Sequence, residues 1–264
     1  MNSIVLTDEQ KECINNCYSN IHPTLLYKTL DRCDCCNPNY ETVDMGDAGI
    51  WSKYPIGVSE WNDESLDDIL YFTWGGIEGH KASEVKDGSV VFDGDLDRFC
   101  GTPGYIYKGY NGTEYAATRY CSNTSFGKDG FTDNLTVLLP EDDACDVNMG
   151  SSWRMPTTEE FQTLYNLCNI EWVTNYNGVS GLNGRLFKLK TDESKQLFFP
   201  ASGICDSSSV NYVGSNGYFW SSSLKVSSPC YGIRLYFSSG YVFPDDSNLR
   251  YFGYPVVGIL NSNE

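Results

Sequence analysis

The sequence is poor in basic residues and in histidine. It holds 18 Lys and Arg against 35 Asp and Glu, which gives a formal net charge of −17. Because so acidic a surface repels phosphate backbones, we expect no nucleic-acid partner. The two histidines, His22 and His80, lie outside any zinc-protease or nucleophile-elbow motif, and no phosphate-cradling glycine loop is present. A histidine-dependent hydrolase is therefore not expected, and the chain is predicted not to be an enzyme.

Long apolar runs are also lacking. No stretch approaches the length of a membrane span, so membrane insertion is not expected. The first residues, MNSIVLTDEQKEC, have no basic region followed by an apolar stretch, and no signal peptide is predicted. We therefore expect synthesis in the cytoplasm, with any release occurring inside a particle on lysis.

Cysteine is abundant, with 11 residues, and five of them crowd the N-terminal part of the chain. The spacing allows two thiolates one helical turn apart to meet a second pair in a tetrahedral zinc site, with His22 as an extra donor. Free thiols or disulfides are the alternative. The zinc candidates are Cys13, Cys17, Cys33 and Cys36. The six scattered cysteines are expected to be free thiols in a reducing compartment.

The chain divides near Tyr40. Residues 1–39 read as a small helical, cysteine-rich segment, and residues 40–264 as one α+β domain without regular strand–helix alternation. The clearest helix is PTTEEFQTLYNLC, where Thr157 and Glu160 form a capping box. Its predicted apolar stripe is Phe161, Leu164, Tyr165 and Cys168. Residues 185–190 and 196–199 are predicted to pair as strands across a polar turn.

Residues 231–243, YGIRLYFSSGYVF, carry a strand pattern with an unusual outer face. Ile233, Leu235 and Phe237 alternate with Arg234, Tyr236 and Ser238, which predicts one buried side and one wet side. Two large aromatic or cationic side chains on the wet side point to a recognition surface.

Several segments, in order, resemble one family, the Fibrobacter succinogenes major paralogous domain of gut Bacteroidetes and their phages. The resemblance covers about residues 43–259, and its most specific pieces are WRMPT and WSSS. The segments that carry it are VDMGDAGIWSKYPIG, YFTWGG, DNLTVLLPEDDACDVNMGSSWRMPTTEEFQTLYNLC, FFPASG, YFWSSSL, LYFSSGYV and LRYFGYPVVGI.

This resemblance implies a C-type-lectin-like fold of the formylglycine-generating-enzyme type. Variable proteins of diversity-generating retroelements, such as phage tropism determinants, share that fold. The enzymatic relatives use a cysteine pair with copper. Cys205 and Cys230 match no such motif, so that oxidase activity is not expected.

In the variable proteins, mutated adenines change Asn codons and cannot yield Lys, Glu, Gln, Met or Trp. Residues 226–252 contain none of those five residues. Ile233, Leu235, Phe237, Val242, Ser239, Pro244, Arg250 and Gly253 look fixed. The resemblance therefore implies a diversified ligand-binding surface at Ser228, Cys230, Tyr231, Arg234, Tyr236, Ser238, Tyr241, Phe243, Asp245, Asp246, Ser247 and Leu249, with Tyr212, Tyr218 and Phe219 as weaker candidates.

The expected function is recognition of a bacterial surface protein or glycan by a phage or prophage tail tip. Residues 1–39 would attach the chain to virion tail proteins or form a homo-oligomer such as a trimer, which raises avidity. The alternatives are a bacterial surface adhesion or glycan-binding domain and, less favoured, a formylglycine-generating oxidase. No cofactor is required beyond the zinc considered above.

Overall fold

A computed structural model describes residues 40–92 and 117–261. These residues form a mixed α+β fold of mostly antiparallel strands with few helices, which confirms the α+β class. The predicted N-terminal helical segment and its candidate zinc ligands Cys13, Cys17, Cys33 and Cys36 lie outside the described residues.

Four α-helices occur in the described segments, together with four 3-10 helices at Gly46–Ala48, Lys128–Gly130, Pro140–Asp142 and Tyr176–Gly178. The longest, α4, begins after Thr157, whose side chain accepts from the backbone N–H of Glu160, while Glu160 accepts from the N–H of Thr157. The predicted capping box is thus confirmed. Phe161 and Leu164 are buried as predicted, but Tyr165 is 37% exposed and does not belong to the apolar stripe. The helices are α1 (Ser65–Asp68), α2 (Ala82–Lys86), α3 (Ala144–Met149) and α4 (Thr158–Leu167).

The strands assemble into five small sheets with antiparallel pairing throughout. The strands are β1 (Thr42–Asp44), β2 (Ile50–Ser52), β3 (Leu70–Tyr71), β4 (His80–Lys81), β5 (Trp153–Arg154), β6 (Cys168–Val173), β7 (Gly184–Leu189), β8 (Asp192–Pro200), β9 (Ile204–Asp206), β10 (Ser209–Asn211), β11 (Asn216–Leu224), β12 (Tyr231–Ser238), β13 (Val242–Leu249) and β14 (Ile259–Leu260). The sheet orders are β1-β2-β14-β5, β3-β4, β6-β7-β8, β9-β10 and β11-β12-β13.

Two features of this topology organise the domain. The late strand β14 lies between β2 and β5, so the first and last strands of the described chain share a sheet. The predicted pairing of residues 185–190 with 196–199 is confirmed by β7 and β8. The second strand begins earlier than predicted, at Asp192, because the turn is shorter.

Three apolar clusters form the core. Trp51, Phe161 and Phe199 lie in one cluster, together with Leu235 and Phe237 from β12. A second cluster is built around Trp74, Trp153, Trp220 and Tyr254, and a third contains Trp61, Tyr71 and Phe198. Each cluster contains several large aromatic side chains, which supply much of the apolar area that a domain with short strands and long loops buries on folding.

The β11-β12-β13 sheet lies between the first two clusters. On one face Phe219, Leu235 and Phe237 pack toward Phe199. On the other face Tyr218 and Trp220 pack against Tyr254. The prediction of one wet face is therefore wrong at Arg234, which is buried. Tyr236 and Ser238, nearer the β12–β13 turn, are partly exposed.

None of the helices in the two described segments combines the length and the apolar character needed to span a membrane.

Candidate ligand-binding surface

The β12–β13 hairpin ends in a tight turn at Ser238–Tyr241. The N–H of Ser238 donates to the carbonyl of Tyr241 at 3.0 Å, and the N–H of Gly240 donates to Oγ of Ser238 at 3.2 Å. Beyond the turn, Tyr236 lies directly opposite Phe243. The turn thereby brings side chains from both strands together at the exposed end of the sheet.

Three aromatic rings form a continuous surface there, which we call the aromatic patch: Tyr236, Tyr241 and Phe243. Their ring centroids are 5.4 Å (Tyr236–Tyr241), 5.2 Å (Tyr241–Phe243) and 6.2 Å (Tyr236–Phe243) apart. Tyr241 is 42% exposed and Phe243 48% exposed. Neighbouring exposed aromatic rings are characteristic of binding surfaces, because they offer large contact area at low cost in conformational entropy.

The patch contains a hydrogen-bonded pair of phenols. The hydroxyls of Tyr236 and Tyr241 lie 2.6 Å apart. Burial, and the bond to Tyr241, raise the pKa of Tyr236. The same bond lowers the pKa of Tyr241, because Tyr236 can donate to its oxygen. Tyr241 is thus the more acidic phenol of the pair and accepts from its partner when ionised.

Beneath the patch, Arg234 is buried in a cage of tyrosine rings. Its guanidinium carbon lies 4.7 Å from the ring centroid of Tyr218, 5.3 Å from that of Tyr236 and 4.9 Å from that of Tyr254. It donates to Asp246 from Nε at 3.0 Å and from Nη2 at 2.7 Å, and from Nη1 to the Tyr254 hydroxyl. Cation–π contact and ion pairing together offset the cost of burying this charge.

The patch is also tied to β11. Asn216 donates from Nδ2 to the hydroxyl of Tyr218 at 3.0 Å and to that of Tyr236 at 3.4 Å. The rings of Tyr218 and Tyr236 stack with centroids 4.8 Å apart. Contacts with Asn216 and Tyr218 on β11 therefore fix the position of Tyr236. Tyr241 and Phe243 pack mainly against each other.

The predicted site residues fall into three groups by exposure. Those that are exposed are Tyr212, Tyr241, Phe243 and Asp245. Those that are partly buried are Ser228, Tyr231, Tyr236, Ser238, Asp246, Ser247 and Leu249. Those that are buried are Tyr218, Phe219, Cys230 and Arg234.

The prediction that this last group faces solvent is wrong. Phe219 is completely buried, with its ring against Phe199 and Phe237. Cys230 is 3% exposed, and Tyr218 is covered by Tyr236 and Tyr254. The alternating pattern could not reveal this burial, because it does not show that a second core cluster covers the other side of the sheet.

Most of the residues predicted to be fixed are buried in the core. Leu235 and Phe237 are buried, while Ile233 is only partly so. Arg250 is 2% exposed, its guanidinium carbon lies 4.6 Å from the Trp74 ring centroid, and it donates to the carbonyl of Tyr120. Pro244 is buried, but Ser239 lies exposed in the turn.

Burial limits the reactivity of thiols in the described part of the domain. Cys121, Cys145, Cys168 and Cys205 are reduced and buried, as expected of the scattered cysteines. Burial raises the pKa of Cys205, which disfavours the thiolate that copper ligation requires. Within the described segments, no group of three or more His, Cys, Asp or Glu side chains is arranged to hold a metal ion.

Sequence reasoning missed a second feature beside the patch. A cleft of about 500 Å³ lies between the end of α4, strand β7 and the β12–β13 turn. Arg185, Lys190 and Tyr241 line it. One signal could have found it: Arg185 alternates with Phe187 and Leu189 and therefore sits at a core-facing position, where an unpaired cation is unusual.

Comparison of the chain with protein-family models, with curated proteins and with solved structures finds no match in any of the three. The resemblance to the Fibrobacter succinogenes major paralogous domain therefore stays a prediction.

Proposed function

We propose that the chain is a ligand-binding protein that presents a diversified C-terminal surface, used by a phage or prophage tail to recognise a bacterial host. The observation that carries the proposal is the aromatic patch. Two of its rings, Tyr241 and Phe243, are more than 40% exposed on a hairpin that Leu235 and Phe237 anchor in the core.

The residues that stabilise the hairpin differ from the exposed rings that would contact a ligand. Leu235 and Phe237 anchor β12, and Arg234 with Asp246 links it to β13. Substitution of the exposed rings removes few core contacts, so such a surface can change without loss of the fold. That is the property a diversified binding protein needs.

We further propose that the α+β fold is C-type-lectin-like, of the formylglycine-generating-enzyme type. The order of the resembling segments and the position of β14 between β2 and β5 in one four-stranded sheet support this. Attachment to virion tail proteins and oligomerisation through residues 1–39 complete the proposal, with the bacterial surface protein or glycan as the partner.

A non-enzymatic role is supported by the cysteines. The formylglycine-generating reaction needs a reactive cysteine pair, whereas Cys205 and Cys230 are 0% and 3% exposed. Neither thiol is accessible to a peptide substrate without local unfolding.

Binding to bacterial cells tests the proposal. The fluorescently labelled chain is incubated with a panel of gut Bacteroidetes strains, and the bound fraction is measured by flow cytometry. We expect saturable binding to some strains, and loss of that binding in the Tyr241→Ala/Phe243→Ala variant, since a few central aromatic residues carry most of an interface's energy.

Phe131→Ala is the matched control, because Phe131 is also an exposed aromatic residue, at 38%, but lies outside the hairpin. It should bind like the parent chain. Equal binding by the double variant and the control would refute recognition through the aromatic patch. Resequencing of the 3′ coding end in related isolates tests diversification separately, with changes expected at adenines.

A further inference from the structure

The cleft beside the aromatic patch carries an unusual concentration of positive charge. Arg185 and Lys190 line it, and among the described residues no Asp or Glu does. The chain has a net charge of −17, yet the described lining of this cleft carries two cations and no acid. Such a site concentrates anions.

Arg185 lines this cleft and is 8% exposed. Its Nε donates to the carbonyl of Ser238 at 2.9 Å, and its guanidinium carbon lies 5.8 Å from the Trp172 ring centroid. Within residues 40–92 and 117–261, its two terminal amino groups make no hydrogen bond or ion pair. The guanidinium therefore keeps the forked pair of donors that fits a carboxylate or sulfate.

The burial of this cation has an energetic consequence. Desolvation lowers the pKa of Arg185, and no carboxylate of the described chain compensates for it. A buried charge of this kind is normally paired. An anion in the cleft would supply the missing partner at the place where water is already partly excluded.

Lys190 adds a second charge at the edge. Its Nζ donates to the carbonyl of Asn166 at 2.6 Å, which holds the ammonium at the end of α4. An ammonium has three donors, so this bond leaves capacity for a ligand. Arg185 and Lys190 therefore offer one buried and one exposed donor group to the same cleft.

The remaining lining suits a sugar. Tyr165 on α4 and Tyr241 on the β12–β13 turn both line the cleft, and both rings are exposed. Aromatic faces pack against the apolar faces of pyranose rings. The amide side chains of Asn166 and Asn169 also line the cleft and can bond hydroxyl groups.

We propose that this cleft is an anion subsite that binds the carboxylate or sulfate group of an acidic saccharide. The group sits on the fork of Arg185 with Lys190 at its side, and the ring packs between Tyr165 and Tyr241. The inference goes beyond the aromatic patch, because its cations lie on or beside β7, outside residues 226–252. Tyr241 belongs to both surfaces, whereas anion binding by Arg185 and Lys190 does not depend on whether the patch varies.

Calorimetric titration of the whole chain with three probes tests the proposal: glucuronate, glucose and a glutamate-containing tripeptide. We expect saturable binding of glucuronate, at least about tenfold weaker binding of glucose, and weaker binding of the tripeptide than of glucuronate. Added salt should weaken the glucuronate interaction.

Two variants locate the site. Lys190→Met should weaken glucuronate binding about tenfold, and Arg185→Lys should do the same, because a lysine keeps the charge but not the fork. Lys188→Met is the matched control, since Lys188 is on the same strand but pairs with Glu171 at 2.6 Å. It removes the same charge and should leave binding unchanged. Circular dichroism verifies that Arg185→Lys is folded.

Three results would overturn the proposal. Glucuronate and glucose could bind alike or not at all, Lys190→Met and Lys188→Met could have equal effects, or the tripeptide could bind more tightly than glucuronate. The last result would assign the cleft to an acidic peptide. A failure of Lys190→Met to affect cell binding would leave the aromatic patch proposal standing, because the two sites are tested by different variants.

Discussion

Arg234 lies where the core meets the aromatic patch, and its environment limits what can vary around it. Its side chain is 9% exposed, and that of its partner Asp246 is 35% exposed. Both residues belong to the set inferred to be diversified, yet loss of either leaves the other without its ion pair. We therefore expect Arg234 and Asp246 to be kept or to change together, whereas Asp245 can change freely.

The Asp246→Ala substitution measures this constraint. It leaves the buried guanidinium of Arg234 without a counter-charge, and we expect a loss of about 2–3 kcal/mol in the free energy of unfolding. Asp245→Ala removes an exposed carboxylate next to it and should change that energy by less than about 0.5 kcal/mol. Urea denaturation of both variants gives the comparison, and similar losses would show that the ion pair has no special role.

The Tyr236–Tyr241 pair predicts a distinct titration. Because Tyr236 can donate to the oxygen of Tyr241 and so stabilise its phenolate, Tyr241 should ionise below the ordinary tyrosine range. Ultraviolet difference spectroscopy should show an early phenolate signal that moves to higher pH in Tyr236→Phe. Tyr212→Phe removes an exposed phenol outside this pair and should leave the signal in place. An unchanged signal in Tyr236→Phe would show that the hydroxyls are not bonded in solution.

Asp143 predicts a pH dependence of stability. Its carboxylate accepts from the backbone N–H groups of Cys145, Asp146 and Met155, and burial raises its pKa from 3.8 to about 6. A raised pKa means that the folded state binds the proton more tightly. The stability that protonated Asp143 contributes to the folded state is therefore fully present below about pH 4, and it is lost as pH rises through 6.

Comparison with Asp143→Asn, which cannot ionise, isolates this effect. The stability advantage of the parent chain over the variant should be greater at pH 4 than at pH 7, by up to about 3 kcal/mol. Glu160→Gln is the control of opposite sign. Burial alone would raise the pKa of Glu160, but hydrogen bonds from Arg154 and Thr157 outweigh burial and lower it. The stability that ionised Glu160 contributes is therefore lost as pH falls. If the parent chain and Asp143→Asn differed in unfolding free energy by the same amount at both pH values, a raised pKa of Asp143 would be contradicted.

At the scale of elements, the β11–β12 pairing depends on one glycine. A Cβ at Gly217 would lie 2.0 Å from Cζ of Phe237, its direct partner on β12. Gly217→Ala should therefore displace the Phe237 ring and cost about 2–3 kcal/mol of unfolding free energy. At Gly240, in the turn, the nearest recorded atom is Oγ of Ser238 at 3.9 Å, so Gly240→Ala should be tolerated. Equal melting temperatures of the two variants would contradict this packing.

Elements with a local signal were predictable from the sequence. The capping box at Thr157 and Glu160 predicted α4, and two apolar runs on either side of a polar turn predicted the pairing of β7 with β8. Tyr165 was misassigned to the buried stripe, since a helix pattern does not show how wide the covered face is. Its exposure matters, because it places an aromatic ring at the basic cleft rather than in the core.

At the scale of the whole molecule, the sequence could not show which residues cover each face of the β11-β12-β13 sheet. Trp74, distant in the chain, packs over Gly232, where a Cβ would lie 2.4 Å from its ring. This long-range packing covers β12 at Gly232. The nearby Cys230 is 3% exposed and is therefore removed from the proposed surface. The exposed part of the predicted site, around Tyr241 and Phe243, lies at the turn, which no core cluster covers. The burial of Arg185 likewise depends on the meeting of β7 with the β12–β13 turn.

The most direct test of the account is saturation mutagenesis of residues 231–249, with resistance to protease as the measure of folding. The central claim is that a fixed aromatic core supports a replaceable outer layer. We predict that Tyr241, Phe243 and Asp245 accept most substitutions at parental resistance, whereas Leu235 and Phe237 accept only apolar residues and Arg234 tolerates almost none. Equal intolerance at the outer and inner positions would contradict the account.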